Sequence, residues 1–227
     1  MSIINTNTTY NNGMNIYLVI PSYNEEGTIK KVITDLQQFH TNIIVVNDCS
    51  TDNTQAILNK LPIIVVNNTK NLGYTKTLEK GIVRAINEKA HYIITCDADG
   101  QHTSESLQKI ISVIQSEKPD LVLCKRSKHN RFMEYIWGFY SQVFFGFSDP
   151  LCGMKAYKVD LFRTLGVQLE TSYTIGTRFI FKAIRSGATY KEVNITVCDR
   201  SDNSRFGSAI KGNWLELRAL WNVIFST

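Results

Sequence analysis

Asp97 and Asp99 stand two residues apart in the run Thr95-Cys96-Asp97-Ala98-Asp99-Gly100-Gln101-His102. The run follows Tyr92-Ile93-Ile94, an apolar stretch that reads as a buried strand. Two carboxylates at a strand's end can both lean on one divalent cation. Hard oxygen ligands suit Mg²⁺ or Mn²⁺, and such an ion keeps positions open for substrate phosphates. Gln101 offers a neutral amide oxygen as a third ligand, and Gly100 lets the backbone turn sharply. A plain surface turn would also use Asp and Gly, so the rest of the chain must decide.

The elements that would position these residues alternate along the first half. Ile16 to Ile20 reads as a strand stopped by Pro21, with a helix from about Glu25 to Phe39. Ile43 to Val46, Ile63 to Val66, Tyr92 to Thr95 and Leu121 to Leu123 read as further strands. Helices are predicted from Leu72 to Glu88 and after a cap at Thr103 or Ser104. Unbroken apolar strands alternating with helices predict a parallel sheet covered on both faces. Ligands in such sheets bind beyond the carboxyl ends of the strands. The polar loops Ser22 to Glu26, Asn47 to Asp52 and Asp97 to His102 all fall there. The second half reads as an aromatic helix near Met133 to Phe147, a loop at Ser148 to Tyr157, a helix near Ile175 to Ser186 and a strand near Tyr190 to Val197.

Composition narrows the class. The 227 residues are 43% hydrophobic and 20% charged, as in ordinary globular proteins, and carry a formal charge of +5. That mild excess suits nucleotides, lipid phosphates or an anionic membrane surface, and is too weak to imply nucleic acid. Five cysteines without close spacing suggest a reducing compartment, and the scattered histidines lack zinc-ligand spacing. Residues 1–15 are polar, and no apolar run is long enough to span a membrane.

Several motifs taken together carry a resemblance. They are Val19-Ile20-Pro21-Ser22-Tyr23-Asn24-Glu25-Glu26, Val46-Asn47-Asp48-Cys49-Ser50-Thr51-Asp52, Asn71-Leu72-Gly73 and Asp97 to His102. In that order they resemble a family 2 glycosyltransferase of the GT-A fold, a Rossmann-like, mostly parallel sheet flanked by helices. Asp149-Pro150-Leu151-Cys152-Gly153-Met154-Lys155-Ala156-Tyr157 and the stretch Arg200 to Gly207 are similar to the dolichol-phosphate mannose synthase and polyprenyl-phosphate glycosyltransferase branch. The likeness covers residues 16–207, between a flexible N-terminus and an amphipathic C-terminal segment, 208–227.

The resemblance implies inverting transfer from a UDP- or GDP-sugar to a polyprenyl phosphate with Mg²⁺ or Mn²⁺. It implies that Pro21, Tyr23 and Glu25 hold the nucleotide, that Asp48 faces the base, and that Asp97 lies by the ribose and phosphates. Asp99 is then the principal metal ligand, with Asp97 and Gln101 beside it. Arg126 meets the acceptor phosphate with Arg131 nearby, while Arg200, Ser204 and Arg205 close over the diphosphate. Relatives commonly carry a carboxylate where Gly176 or Arg178 stands here. A lipid phosphate is already ionised and needs no strong base, whereas a sugar hydroxyl does. Transfer to a sugar hydroxyl and a non-catalytic nucleotide-sugar-binding subunit are the alternatives.

Two segments stay open between packing and a membrane surface. Lys125, Arg126, Lys128 and Arg131 precede an aromatic stretch that includes Phe132, Tyr135, Trp137, Phe139 and Phe144. Trp214, Leu217, Trp221 and Ile224 recur at helical spacing near the C-terminus. Either segment suits a buried helix or an interfacial one. The expected location is cytoplasmic, peripheral on the cytoplasmic face of a membrane or on a membrane partner.

Overall fold

The computed structural model describes residues 13–39, 41–127, 132–165 and 177–198. Arg131, Arg200, Ser204, Arg205 and the segment 208–227 lie outside the described residues. The first half runs β1 (Ile16–Ser22), α1 (Ile29–Gln37), β2 (Asn42–Asn47), α2 (Thr54–Leu58), β3 (Ile64–Asn67), α3 (Tyr74–Asn87) and β4 (Tyr92–Thr95). It continues with α4 (Ser104–Glu117), β5 (Leu121–Arg126), α5 (Phe132–Phe145), β6 (Lys155–Lys158), α6 (Asp160–Thr164), α7 (Thr177–Arg185) and β7 (Tyr190–Ile195).

The strands form one sheet in the order β3-β2-β1-β4-β6-β5-β7. β6 runs antiparallel to β4 and β5, and the other pairings are parallel. Alternation along β1 feeds two cores. Tyr17 and Val19 pack with Ile82 of α3, Trp137 of α5 and Phe181 of α7. Ile16, Leu18 and Ile20 pack with Ile33 of α1 and Ile110 of α4. Helices therefore cover both faces, as the apolar strands require. Gly81 brings α3 close to the sheet, since an added Cβ would strike Val19 and lie 3.0 Å from Val46.

Four sequence expectations shift. Pro21 does not stop β1, because it pairs in register with Val46. The Val19 carbonyl accepts from Cys96 N on the β4 side and the Ser22 carbonyl from Asp48 N on the β2 side. Pro21, in step with Val19, therefore turns its missing N–H toward β4, whose last residue is already passed, and no ladder bond is lost. α1 begins at Ile29 rather than Glu25, because residues 25–28 form a turn in which Thr28 Oγ1 donates to Glu25 Oε2 at 2.6 Å. β5 runs three residues beyond its expected end, to Arg126. The expected loop at Ser148 to Tyr157 contains β6, a short strand with a lysine at each end.

Candidate active site

Parallel strands put the carboxyl ends of β1, β2, β3 and β4 on one edge, and three of the polar loops are tied together there. Asn24 N donates to Ser50 Oγ at 3.0 Å, and Thr51 N donates back to Asn24 Oδ1 at 2.8 Å. Asn24 and Cys49 hold left-handed conformations, φ 52° and 61°, to make this clasp. Asp48 organises the next loop. Its Oδ1 accepts from Asn68 Nδ2 at 2.7 Å and Leu72 N at 2.8 Å, and its Oδ2 from Gly73 N at 2.9 Å. Asp48 is buried, so these donors offset the cost of taking a carboxylate out of water. Gly73, at φ 82°, then leads into α3. Glu25 is also buried, with its N–H donated to Thr54 Oγ1 at 2.8 Å, and Tyr23 is half-buried at the same edge.

Asp97 and Asp99 follow β4 directly. Tyr74 OH donates to Asp97 Oδ1 at 2.9 Å, and His102 Nε2 lies 3.3 Å from Asp97 Oδ2. Burial works against the Asp97 charge, but His102 and Tyr74 outweigh it and hold the carboxyl below its ordinary range. His102 is itself fixed by a strand-like bridge to Val197, while its buried Nδ1 has no hydrogen-bond partner among the described residues. Asp99 is buried, and its Oδ1 accepts from Gln101 N at 3.0 Å across the turn at Gly100, φ 77°. Gly153 abuts Asp97 so closely that an added Cβ would fall on the carboxylate.

A cavity of about 170 Å³ opens beside this pair, with Tyr74, Leu151, Gly153, Lys155 and Thr177 among its lining. Lys155 is buried and donates from Nζ to the Cys152 carbonyl. Burial pushes its pKa down, opposed by the charges of Asp149 and Asp97. No acidic side chain is among the described residues lining the cavity.

Arg126, at the end of β5, meets two carboxylates. Its Nε and Nη2 donate to Asp149 at 2.7 and 3.0 Å, and Glu134 of α5 lies 3.5 Å from Nη2. Burial disfavours the guanidinium charge, yet Asp149 and then Glu134 raise its pKa above the ordinary value. The fork expected to meet a phosphate is thus held by Asp149. Arg178 is exposed on α7.

Asp97, Asp99 and Gln101 therefore share one turn, while Pro21, Tyr23, Glu25 and Asp48 lie along the edge next to it. Arg126 sits at the same end of the sheet, joined to Asp97 through the segment from Asp149 to Gly153. Sequence reasoning did not single out Tyr74, Gly153, Lys155, Asp149 or Glu134 as site residues. Gly153 and Asp149 lie within a motif already visible in the sequence, but their partners are distant along the chain.

A parallel-strand edge with an Asp-x-Asp turn and a clasped double loop defines a nucleotide-sugar transferase of the GT-A type. The model of glycosyl transferase family 2 matches residues 17–166, and the chain belongs to that family and is a glycosyltransferase. It is 28% identical over 190 residues to the UDP-N-acetylglucosamine–dolichyl-phosphate N-acetylglucosaminyltransferase of Methanococcus voltae, covering 68% of this chain and 74% of that one. It is 33% identical over 125 residues to the prophage bactoprenol glucosyl transferase homolog of Escherichia coli K12, covering 50% of this chain and 40% of that one. The crystal structure of Mycobacterium tuberculosis glucosyl-3-phosphoglycerate synthase with Mn²⁺, UDP and phosphoglyceric acid superposes with a TM-score of 0.77. The match has 16% identity and covers 96% of this chain and 79% of that one, a likeness of fold.

Proposed function

We propose that this glycosyltransferase moves one sugar, with inversion, from a UDP- or GDP-linked donor to a polyprenyl or dolichyl phosphate, at the cytoplasmic face of a membrane. The observation that carries the reading is the Asp97 carboxylate, kept anionic by Tyr74 and His102 beside a cavity lined by Lys155 and Thr177. Two carboxylates in one turn, with the Gln101 amide, fit Mg²⁺ or Mn²⁺. Among the described residues no three His, Cys, Asp or Glu side chains converge. When bound, the ion supplies positive charge to the diphosphate that leaves.

The chain's own residues do the rest. Asp48 fixes the loop from Asn68 to Gly73 along the nucleotide edge. Pro21, Tyr23 and Glu25 form the facing wall. Arg126 and Arg131 receive the acceptor phosphate, and Arg200, Ser204 and Arg205 close over the diphosphate. A phosphate oxygen attacks without giving up a proton, consistent with a cavity whose described lining is not acidic. The dolichyl-phosphate and bactoprenol relatives support this acceptor class. The test is a panel of nucleotide sugars with a short polyprenyl phosphate and Mn²⁺, scoring released diphosphate and lipid-linked product. Product from one donor supports the reading; transfer only to a soluble glycan overturns the acceptor.

A further inference from the structure

The outward side of α5 is unusual for a soluble surface. Phe132, Tyr135, Phe139 and Val143 are 71%, 58%, 74% and 58% exposed, and Phe144 is 68% exposed. The first four recur at i, i+3, i+7 and i+11, so they form one stripe along the helix. The opposite side of α5 is packed: Met133, Trp137 and Ser141 are buried, and Trp137 stacks on Phe181 of α7. A single exposed aromatic needs no explanation, whereas a contiguous apolar stripe marks a binding surface.

Charge identifies the occupant. Lys125, Lys128 and Arg131 lie just before the stripe in the sequence. At the other end the Arg185 guanidinium lies 5.2 Å over the Phe145 ring. α7 exposes Arg178, Lys182 and Arg185 at i, i+4 and i+7. The acid within α5, Glu134, is buried against Arg126. An apolar stripe with basic ends and no exposed acid on α5 or α7 fits an anionic surface; the exposed Glu192 lies beyond the helix, bonded to Ser148. A second copy of the chain would set like charges face to face. The 14 residues of α5 extend about 21 Å, too short to cross a bilayer and suited to lying in its interface.

We propose that the outer face of α5 docks the enzyme on anionic lipid, its aromatic side chains entering the headgroup boundary and the flanking bases meeting lipid phosphates. The inference rests on this surface and not on the acceptor assignment. The test is co-sedimentation of the full chain with phosphatidylcholine vesicles, with and without phosphatidylglycerol and free of any polyprenyl phosphate. Wild type should bind the anionic vesicles and release in high salt. Phe132→Ser with Phe139→Ser should weaken binding by about tenfold or more, because two buried aromatic surfaces are lost. Its melting temperature should hold, because both side chains are exposed. Arg185→Glu should weaken binding to anionic vesicles only. Wild-type-like binding by the double variant would overturn the proposal. So would a change from dimer to monomer with vesicle binding intact, which would assign the stripe to self-association.

Discussion

At the scale of single residues, the site depends on contacts that leave no slack. Gly153 faces Asp97 with no room for a Cβ. Gly153→Ala should therefore displace the carboxylate and lower kcat/KM by about a hundredfold, roughly 2.7 kcal/mol of transition-state stabilisation. Steady-state kinetics across a Mn²⁺ titration checks this; unchanged kinetics would remove Asp97 from the chemistry. Asp48 predicts a different outcome, because it accepts three hydrogen bonds from one loop. Asp48→Ala should free that loop and weaken UDP or GDP binding at roughly 1.5–3 kcal/mol for each charged hydrogen bond that binding depends on. Calorimetry should show the loss, and metal dependence should persist. The Asp-x-Asp pair was legible in the sequence because its carboxylates are neighbours. The need for glycine at 153 was not, since it comes from a residue 56 positions away that only the fold brings near.

At the scale of elements, Arg126 ties β5 to α5 and to the loop before β6. Asp149 and Glu134 are both buried around it. Removing the guanidinium takes an ion pair away from two buried carboxylates, so Arg126→Ala should cost about 3–5 kcal/mol of stability. Denaturant unfolding measures this, and a loss below about 1 kcal/mol, as at an exposed pair, would contradict it. Acceptor kinetics of this variant therefore need Arg126→Lys beside them, which keeps the charge but not the planar fork. β1, β2, β3 and β4 were legible because each is an apolar run followed by a polar loop. β6 was not, because Lys155 and Lys158 bound only four residues, and Lys155 is buried by neighbours on both sides. The pairing of Arg126 with Asp149 spans 23 residues, so no local pattern announces it.

At the scale of the whole molecule, ionisation sets a stability window. In Asp52 and Asp120 burial raises the pKa, but hydrogen bonds from Thr54 and Thr189 outweigh it and leave both lowered. Their contribution is present above the unfolded carboxylate pKa of about 3.9 and is lost as pH falls through the lower folded values. Cys96, Cys124 and Cys152 are shifted the other way by burial, Cys152 to about 12. Their contribution is full below the unfolded thiol pKa of about 8.5 and declines as pH rises toward the folded values. Lys155, lowered by burial, opposes this limb. Thermal melts in reductant should show a plateau that falls on both sides, and stability still rising above pH 9 would contradict the thiol assignment. The central proposal is transfer onto a phosphate rather than a hydroxyl. The most direct measurement compares phosphorylated with dephosphorylated polyprenol as acceptor for the wild-type enzyme, under one donor sugar and Mn²⁺. Product should form with the phosphate alone; equal transfer to both would overturn attack by phosphate.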